Sequence, residues 1–173
     1  LENTIQAILA GAIGVSGTFG GIGERAGNVA LEQVLNGLKL RFGWQVEGID
    51  YEALERVTAW LEGVGARANA PYSPASQRHE TGIHAHSMLR DRHSYCTFPY
   101  AEPEIWFGKY SGTSNFQYLF ERKLVERKLG RSLTRDHYEQ LRSAIKALSI
   151  QHNRSFSADD VIALLDQGLL RID

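Results

Sequence analysis

Three groups of residues in this chain have the types and spacing to do chemistry. The first is SGTFGGIGERAGN, Ser16 to Asn28, where five glycines surround an adjacent Glu24–Arg25 pair. Gly21-Ile22-Gly23-Glu24-Arg25-Ala26 fits the G-x-G-x-x-A dinucleotide fingerprint, in which a glycine turn brings a pyrophosphate onto the backbone N–H groups of a helix start. Glu47 or Asp50 stands at a suitable distance downstream for a ribose contact. Against this, Glu24 places a carboxylate inside the turn, and a Rossmann half needs further βα units where the chain after Asp50 reads as helix or loop. In a second reading the glycines only supply the φ > 0 positions of a tight strand-to-helix turn. In a third, Glu24, Arg25 and Asn28 sit at the C-terminal end of a barrel strand and aim polar groups into the barrel mouth.

The second group is His79, His84, His86 and His93. On a strand, His84-x-His86 would point both rings to one side, as a zinc site requires, but no cysteine or acidic cluster completes a tetrahedral set. Histidine also changes charge near neutral pH and so suits proton transfer, while His86 and His93 read as surface residues. The third is Tyr118, on a segment whose Phe116, Leu119, Phe120 and Leu124 recur at helical spacing and form a core face; a tyrosine on such a helix is more often core or rim than functional.

The elements that must position these groups follow from periodicity. Leu1, Ile5, Ile8 and Leu9 predict an amphipathic helix ended by Gly11. AIGVSGT then predicts a short buried strand, and Asn28 begins or caps a helix through Val29, Leu31, Val34, Leu35 and Leu38. FGWQVEGID reads as a turn, after which Asp50 caps a helix carrying Leu54, Val57, Trp60 and Leu61. Residues 66–103 are rich in proline and histidine and predict mostly loop with short helical turns. Three helices close the chain, at about 114–128, 134–149 and 157–166, the last two started by Thr134 and Ser157 with acids in the first turn.

At 173 residues the chain can bury a core but is too short for a (β/α)8 barrel, which takes roughly 250. Lysine and arginine total 19 against 20 acidic residues, so no basic field favours nucleic acid. No run is apolar and long enough to span a membrane, and a single cysteine, Cys96, fits a reducing cytoplasm.

Four blocks, taken together, resemble the homocitrate synthase and 2-isopropylmalate synthase family of acyltransferases, the DRE-TIM metallolyases. SGTFGGIGERAGN resembles the segment after the family's last barrel strand, and ENTIQAILAGAIGV the helix after its metal-binding His-x-His strand. HETGIHAHSML, residues 79–89, is similar to the family's HEAGIH stretch, and FGKYSG, residues 107–112, to its GKHSG, with Tyr110 in place of the histidine. Neither the Asp-Arg-Glu of the first strand nor the His-x-His of the seventh aligns here. The resemblance therefore implies an α/β, mainly helical fragment: the last βα unit of a TIM barrel over 1–65, a loop-rich linker subdomain over 66–105 and a helical subdomain over 106–173.

It also implies a function, the condensation of acetyl-CoA with a 2-oxo acid at a divalent metal ion (Mg, Mn or Zn) held mainly by residues outside this chain. Asn28 would be a ligand or near-ligand of that metal, Glu24 an acidic group at the barrel mouth that orients substrate or water, and His84 a proton-transfer residue near the thioester, with Tyr118 as its partner. The implied partners are a barrel-bearing N-terminal segment or subunit, in a homo- or hetero-oligomer, with no nucleic acid and no membrane. The isolated chain would be inactive. A non-catalytic assembly or regulatory subunit of the same descent, and a small dinucleotide-binding domain, are the alternatives.

Overall fold

A computed structural model describes residues 1–66, 68–70, 73–95, 102–122 and 132–172. The chain divides into two compact units, Leu1–Ser76 and Gln77–Asp173. Leu124 and Cys96 lie outside the described residues.

In the first unit, α1 (Glu2–Leu9) packs on α2 (Leu31–Phe42), and a third helix, α3, spans Tyr51–Gly63. The apolar stripe predicted for α1 buries Ile5 against Val34 and Leu38 of α2, with Ile8, Val29 and Phe42 around them. Glu2 and Arg41 close the same pair of helices from outside through two hydrogen bonds, Nη1 to Oε2 at 2.7 Å and Nη2 to Oε1 at 3.4 Å. Gly43 ends α2 in the left-handed conformation (φ 69°), where its N–H bonds to the Lys39 carbonyl and that of Trp44 to Leu38. These are the paired bonds of a glycine-stopped helix. Asp50 caps α3 as expected, its carboxylate accepting from the Ala53 N–H at 2.9 Å.

The Arg41 hydrogen bond, helped by one from Gln6, holds the Glu2 carboxyl at about 2, below its ordinary 4.5. Since the folded value is the lower one, the pair's contribution is complete above pH 4.5 and is lost as pH falls toward 2. Both side chains face water, so salt weakens the pair. Arg41→Ala is therefore expected to lower the thermal midpoint slightly at pH 7 and low salt, with the difference from the parent chain vanishing under acid. A difference unchanged across that titration would mean that Arg41 acts through packing.

Two expectations for this unit are corrected. The 12–18 segment is not a buried strand: Ile13 is fully exposed, Val15 is exposed, and the only ladder contact is a single parallel bridge from Thr18 to Ala30. A strand exists by its hydrogen-bonded ladder to a neighbouring strand, and no other described segment of this unit pairs with it. Nor does Asn28 begin or cap α2; the cap position is Ala30, and the helix starts at Leu31.

The second unit is built around one apolar cluster. Its elements are a two-stranded parallel sheet, β1 (Arg78–His79) and β2 (Glu104–Ile105), with α4 (Gly82–Arg90), α5 (Thr113–Gln117), α6 (Arg135–His152) and α7 (Ala158–Asp166). The π-helical turn Tyr118–Arg122 continues α5 and, with it, drives Phe116, Leu119 and Phe120 inward. Tyr138, Leu141, Ile145 and Ser149 form the buried face of α6 at three- and four-residue spacing. Ala85 and Met88 of α4, Ile105, Phe107, Phe156, Val161 and Leu170 complete the core. Ser157 starts α7 with a reciprocal cap, its hydroxyl accepting from the Asp160 N–H while the Asp160 carboxylate accepts from the Ser157 N–H. Within the span expected to be mostly loop, the described residues 73–95 hold β1 and α4, because α4 has core to cover and β1 has a partner strand far along the chain.

Candidate functional site

The glycine loop of the first unit is a self-tied backbone structure. Gly20, Gly21 and Gly27 have positive φ, and Arg25 joins them at φ 60°. A Cβ at Gly27 would lie 2.0 Å from the Gly21 carbonyl oxygen, so the loop closes only with glycine there, whereas one at Gly23 would lie 2.2 Å from Asn28 Nδ2 and would push that side chain aside. Thr18 Oγ1 and Asn28 Nδ2 both donate to the Ile22 carbonyl, at 2.7 and 3.2 Å, and the Gly20 N–H donates to Glu32 at 3.2 Å. The Glu24 carbonyl accepts from Gly27, and the Arg25 carbonyl accepts from Asn69 Nδ2 at 2.7 Å. Glu24 and Arg25 are half-buried and Asn28 is exposed.

This geometry does not make a phosphate cradle. A dinucleotide turn joins a strand directly to a helix start, whereas here only a bridge precedes the loop and α2 begins at Leu31, beyond the fingerprint. Among the described residues the one sheet, β1–β2, belongs to the second unit. The tight-turn reading accounts for the glycines.

In the second unit the two motif blocks fold onto each other. A Cβ at Gly82 would lie 2.8 Å from the Gly112 Cα, and one at Gly112 would lie 3.0 Å from the Gly82 Cα, so the backbones of HETGIH and FGKYSG touch where no side chain fits. Glu80 ties the same blocks. Its carbonyl accepts from Asn115 Nδ2 at 2.8 Å and from Ser111 Oγ at 3.2 Å, and its carboxylate accepts from the Tyr110 N–H and from Ser155 Oγ. Asn115, with no exposed surface, also donates to the Trp106 carbonyl and accepts from the Gly112 N–H. Gly108 leaves room for the Glu80 carboxylate, which a Cβ would approach to 2.5 Å. Tyr110 contributes its backbone while its ring stays exposed.

Gly82→Ala and Gly112→Ala are each expected to destabilise the chain by about 1–3 kcal/mol, the usual cost of forcing bulk into a closed contact. The check is a urea denaturation midpoint. Values within error of the parent chain would mean that the two backbones can separate freely.

The product of this packing is a fixed histidine. His84 lies in the first turn of α4, half-buried, with its Nδ1 3.0 Å from Nδ1 of His79. His79, on β1, is 1% exposed. On its other side the His84 ring stacks on Tyr95 at a centroid distance of 3.8 Å and an interplanar angle of 19°. Tyr95 itself holds a left-handed backbone, φ 59°, a conformation that costs an aromatic residue energy and marks a position determined by its surroundings. The zinc reading of His84-x-His86 fails on geometry. The pair lies on a helix rather than a strand, where residues two apart point to different sides, and His86 is exposed. His93 is also exposed, beside Asp91.

Comparison with known proteins supplies the lineage. Residues 1–61 match the HMGL-like family. The chain is 34% identical to the 2-isopropylmalate synthase of Solidesulfovibrio magneticus over 185 residues, an alignment that takes in 100% of this chain and 35% of that protein. It is 31% identical to homocitrate synthase 1 of Nostoc over 176 residues, with 95% of this chain and 44% of that one covered. The 2-isopropylmalate synthase of Pyrococcus abyssi is 32% identical over 182 residues, 99% of this chain and 36% of its own. The chain belongs to the DRE-TIM metallolyase family. It spans between about a third and under half the length of the curated relatives it matches (35%, 44% and 36%).

Of the residues that the sequence singled out, Glu24 and Asn28 share the glycine loop, while His84 and Tyr118 belong to the second unit. Tyr118 is half-buried and packs against the second unit's core from the π-helical turn. The rings that fix His84 are those of His79 and Tyr95, neither of which sequence reasoning gave a role beside it. The five-residue interval between His79 and His84 carried a signal for the first, since both belong to one motif; nothing local marked Tyr95. Among the described residues no helix is long and apolar enough to cross a membrane.

Proposed function

We propose that this chain is the C-terminal portion of a metal-dependent acyltransferase that condenses acetyl-CoA with a 2-oxo acid, of the homocitrate, Re-citrate or isopropylmalate synthase type. The relatives are synthases, and the observation that carries the reading is the closure of HETGIH on FGKYSG, which holds the His84 ring between His79 and Tyr95. A solvent-reachable imidazole with a fixed orientation is what proton transfer next to a thioester requires.

In this reading His84 moves a proton near the thioester, Tyr118 assists it, and Glu24 orients substrate or the hydrolytic water. The glycine loop fits a share in a divalent cation site. Asn28 commits its Nδ2 to the Ile22 carbonyl, which leaves the amide oxygen as the atom to present to a hard cation. One amide oxygen is a weak ligand alone, so most of the coordination shell comes from outside the chain. A divalent metal held there would supply Lewis-acid polarisation of the keto group. The exposed residues 12–16 and the exposed Leu1, Leu9 and Leu40 support a place beside further barrel strands.

Reconstitution tests this. The chain is mixed or co-expressed with the N-terminal barrel portion of a homocitrate or isopropylmalate synthase, and acetyl-CoA-dependent thiol release is followed with a panel of 2-oxo acids. Release is expected only in the combination, and only with a divalent metal. A chain that associates with the barrel portion yet supports no release with any acid would favour the assembly-subunit reading.

A further inference from the structure

We propose that His79 is a positioning residue, whose buried imidazole accepts a hydrogen bond from His84 Nδ1–H and so directs the other nitrogen of His84, Nε2, to the proton it transfers. The part of this inference that concerns catalysis rests on the function proposed above; the tautomer assignment does not.

The geometry leaves few choices. Two Nδ1 atoms 3.0 Å apart share one proton, one ring donating and the other accepting. If His79 were the donor, His84 could not become an imidazolium without placing two N–H groups against each other. With His84 as donor, its Nε2 gains and loses a proton while the Nδ1–H to Nδ1 bond persists. His79 is almost fully buried and His84 only half-buried, so the ring that can exchange a proton at its far nitrogen is His84, which fits His84 as the donor and His79 as the acceptor. The logic is that of a base whose far nitrogen is held by an acceptor, with an imidazole in the place a carboxylate often takes.

Two further features keep the acceptor in place. The His79 carbonyl accepts from the Trp106 N–H at 2.9 Å, and its register partner across the sheet is Ile105. Glu80, the next residue, is anchored to Asn115, Ser111 and Ser155. The ring that donates is held flat by the Tyr95 stack. The HETGIH motif thus carries both members of the pair, with the turn that Gly82 permits between them.

The test is heteronuclear NMR on the 173-residue chain with nitrogen-15-labelled histidine, at a pH where both rings are neutral. Long-range proton–nitrogen correlations identify which ring nitrogen carries hydrogen. The expected result is His84 in the Nδ1–H tautomer and His79 in the Nε2–H tautomer. The reverse assignment, or both rings as Nε2–H, overturns the proposal. His79→Asn, whose side-chain oxygen can replace the Nδ1 acceptor, is expected to leave His84 in the Nδ1–H form, whereas His79→Leu releases it to Nε2–H. A His84 tautomer that is the same in both folded variants also overturns it. In the reconstituted enzyme, His79→Leu is expected to lower kcat by about tenfold or more with KM little changed, and His79→Asn to restore most of it. Equal losses in the two variants would reduce His79 to a packing residue. Because the tautomers are read without catalysis, an inactive reconstitution would count against the proposed function alone.

Discussion

Replacing His84 by alanine is expected to lower acetyl-CoA-dependent thiol release in the reconstituted enzyme by about 10²–10⁴-fold, the range that a positioned acid–base group supplies. The chain should remain folded. His84 belongs to the first turn of α4, whereas the residues by which that helix holds the core are Ala85 and Met88. Ile83 is a built-in control: it lies one residue away and is exposed, so Ile83→Ala tests whether any change in this turn has the same effect. Loss confined to kcat, with unaltered far-ultraviolet circular dichroism, identifies a chemical role. Turnover within about threefold of the parent would remove His84 from the mechanism, since a shift so small corresponds to under about 1 kcal/mol of barrier.

Phe116→Ala is expected to destabilise the chain by about 3–5 kcal/mol, a large share of the roughly 5–15 kcal/mol that stabilises a typical domain. Phe116 has no exposed surface and packs on Phe107, with ring centroids 5.1 Å apart and tilted by 52°. It follows Asn115, whose side chain ties Glu80 and Trp106, so a cavity here loosens the support of both motif blocks. Urea or thermal denaturation reads the effect, with Leu40→Ala on the exposed side of α2 as the comparison, expected to stay within about 0.5 kcal/mol. If Phe116→Ala cost no more than Leu40→Ala, the cluster around Phe107, Phe116 and Phe120 would not be the core of the second unit.

Much of this protein was legible in its residues alone. The helices over Leu1–Leu9, Leu54–Leu61, 134–149 and 157–166 were readable because each repeats apolar residues at three- and four-residue intervals, and local capping residues such as Asp50 and Ser157 mark their starts. The motif blocks were legible as a set, and with them the family. The glycine loop announced itself by composition, though composition alone left three meanings open.

What the tertiary structure decided were the relations that span many residues. AIGVSGT has the composition of a strand, but a strand is a property of pairs, and among the described residues of this unit only Thr18 meets a ladder partner, at Ala30. His84-x-His86 suggested a metal pair only for as long as the segment was taken as extended; the need to cover the core with Ala85 and Met88 makes it a helix and separates the rings. Asn28 had the chemistry of a helix cap, yet its amide is held by the Ile22 carbonyl. His79 and Tyr95 meet His84 because a backbone contact between two glycines thirty residues apart, Gly82 and Gly112, sets the course of the chain around them. Periodicity and capping act over a few residues and can be read locally. Pairing, burial and ring contact depend on which distant segment arrives, and only the folded chain supplies that.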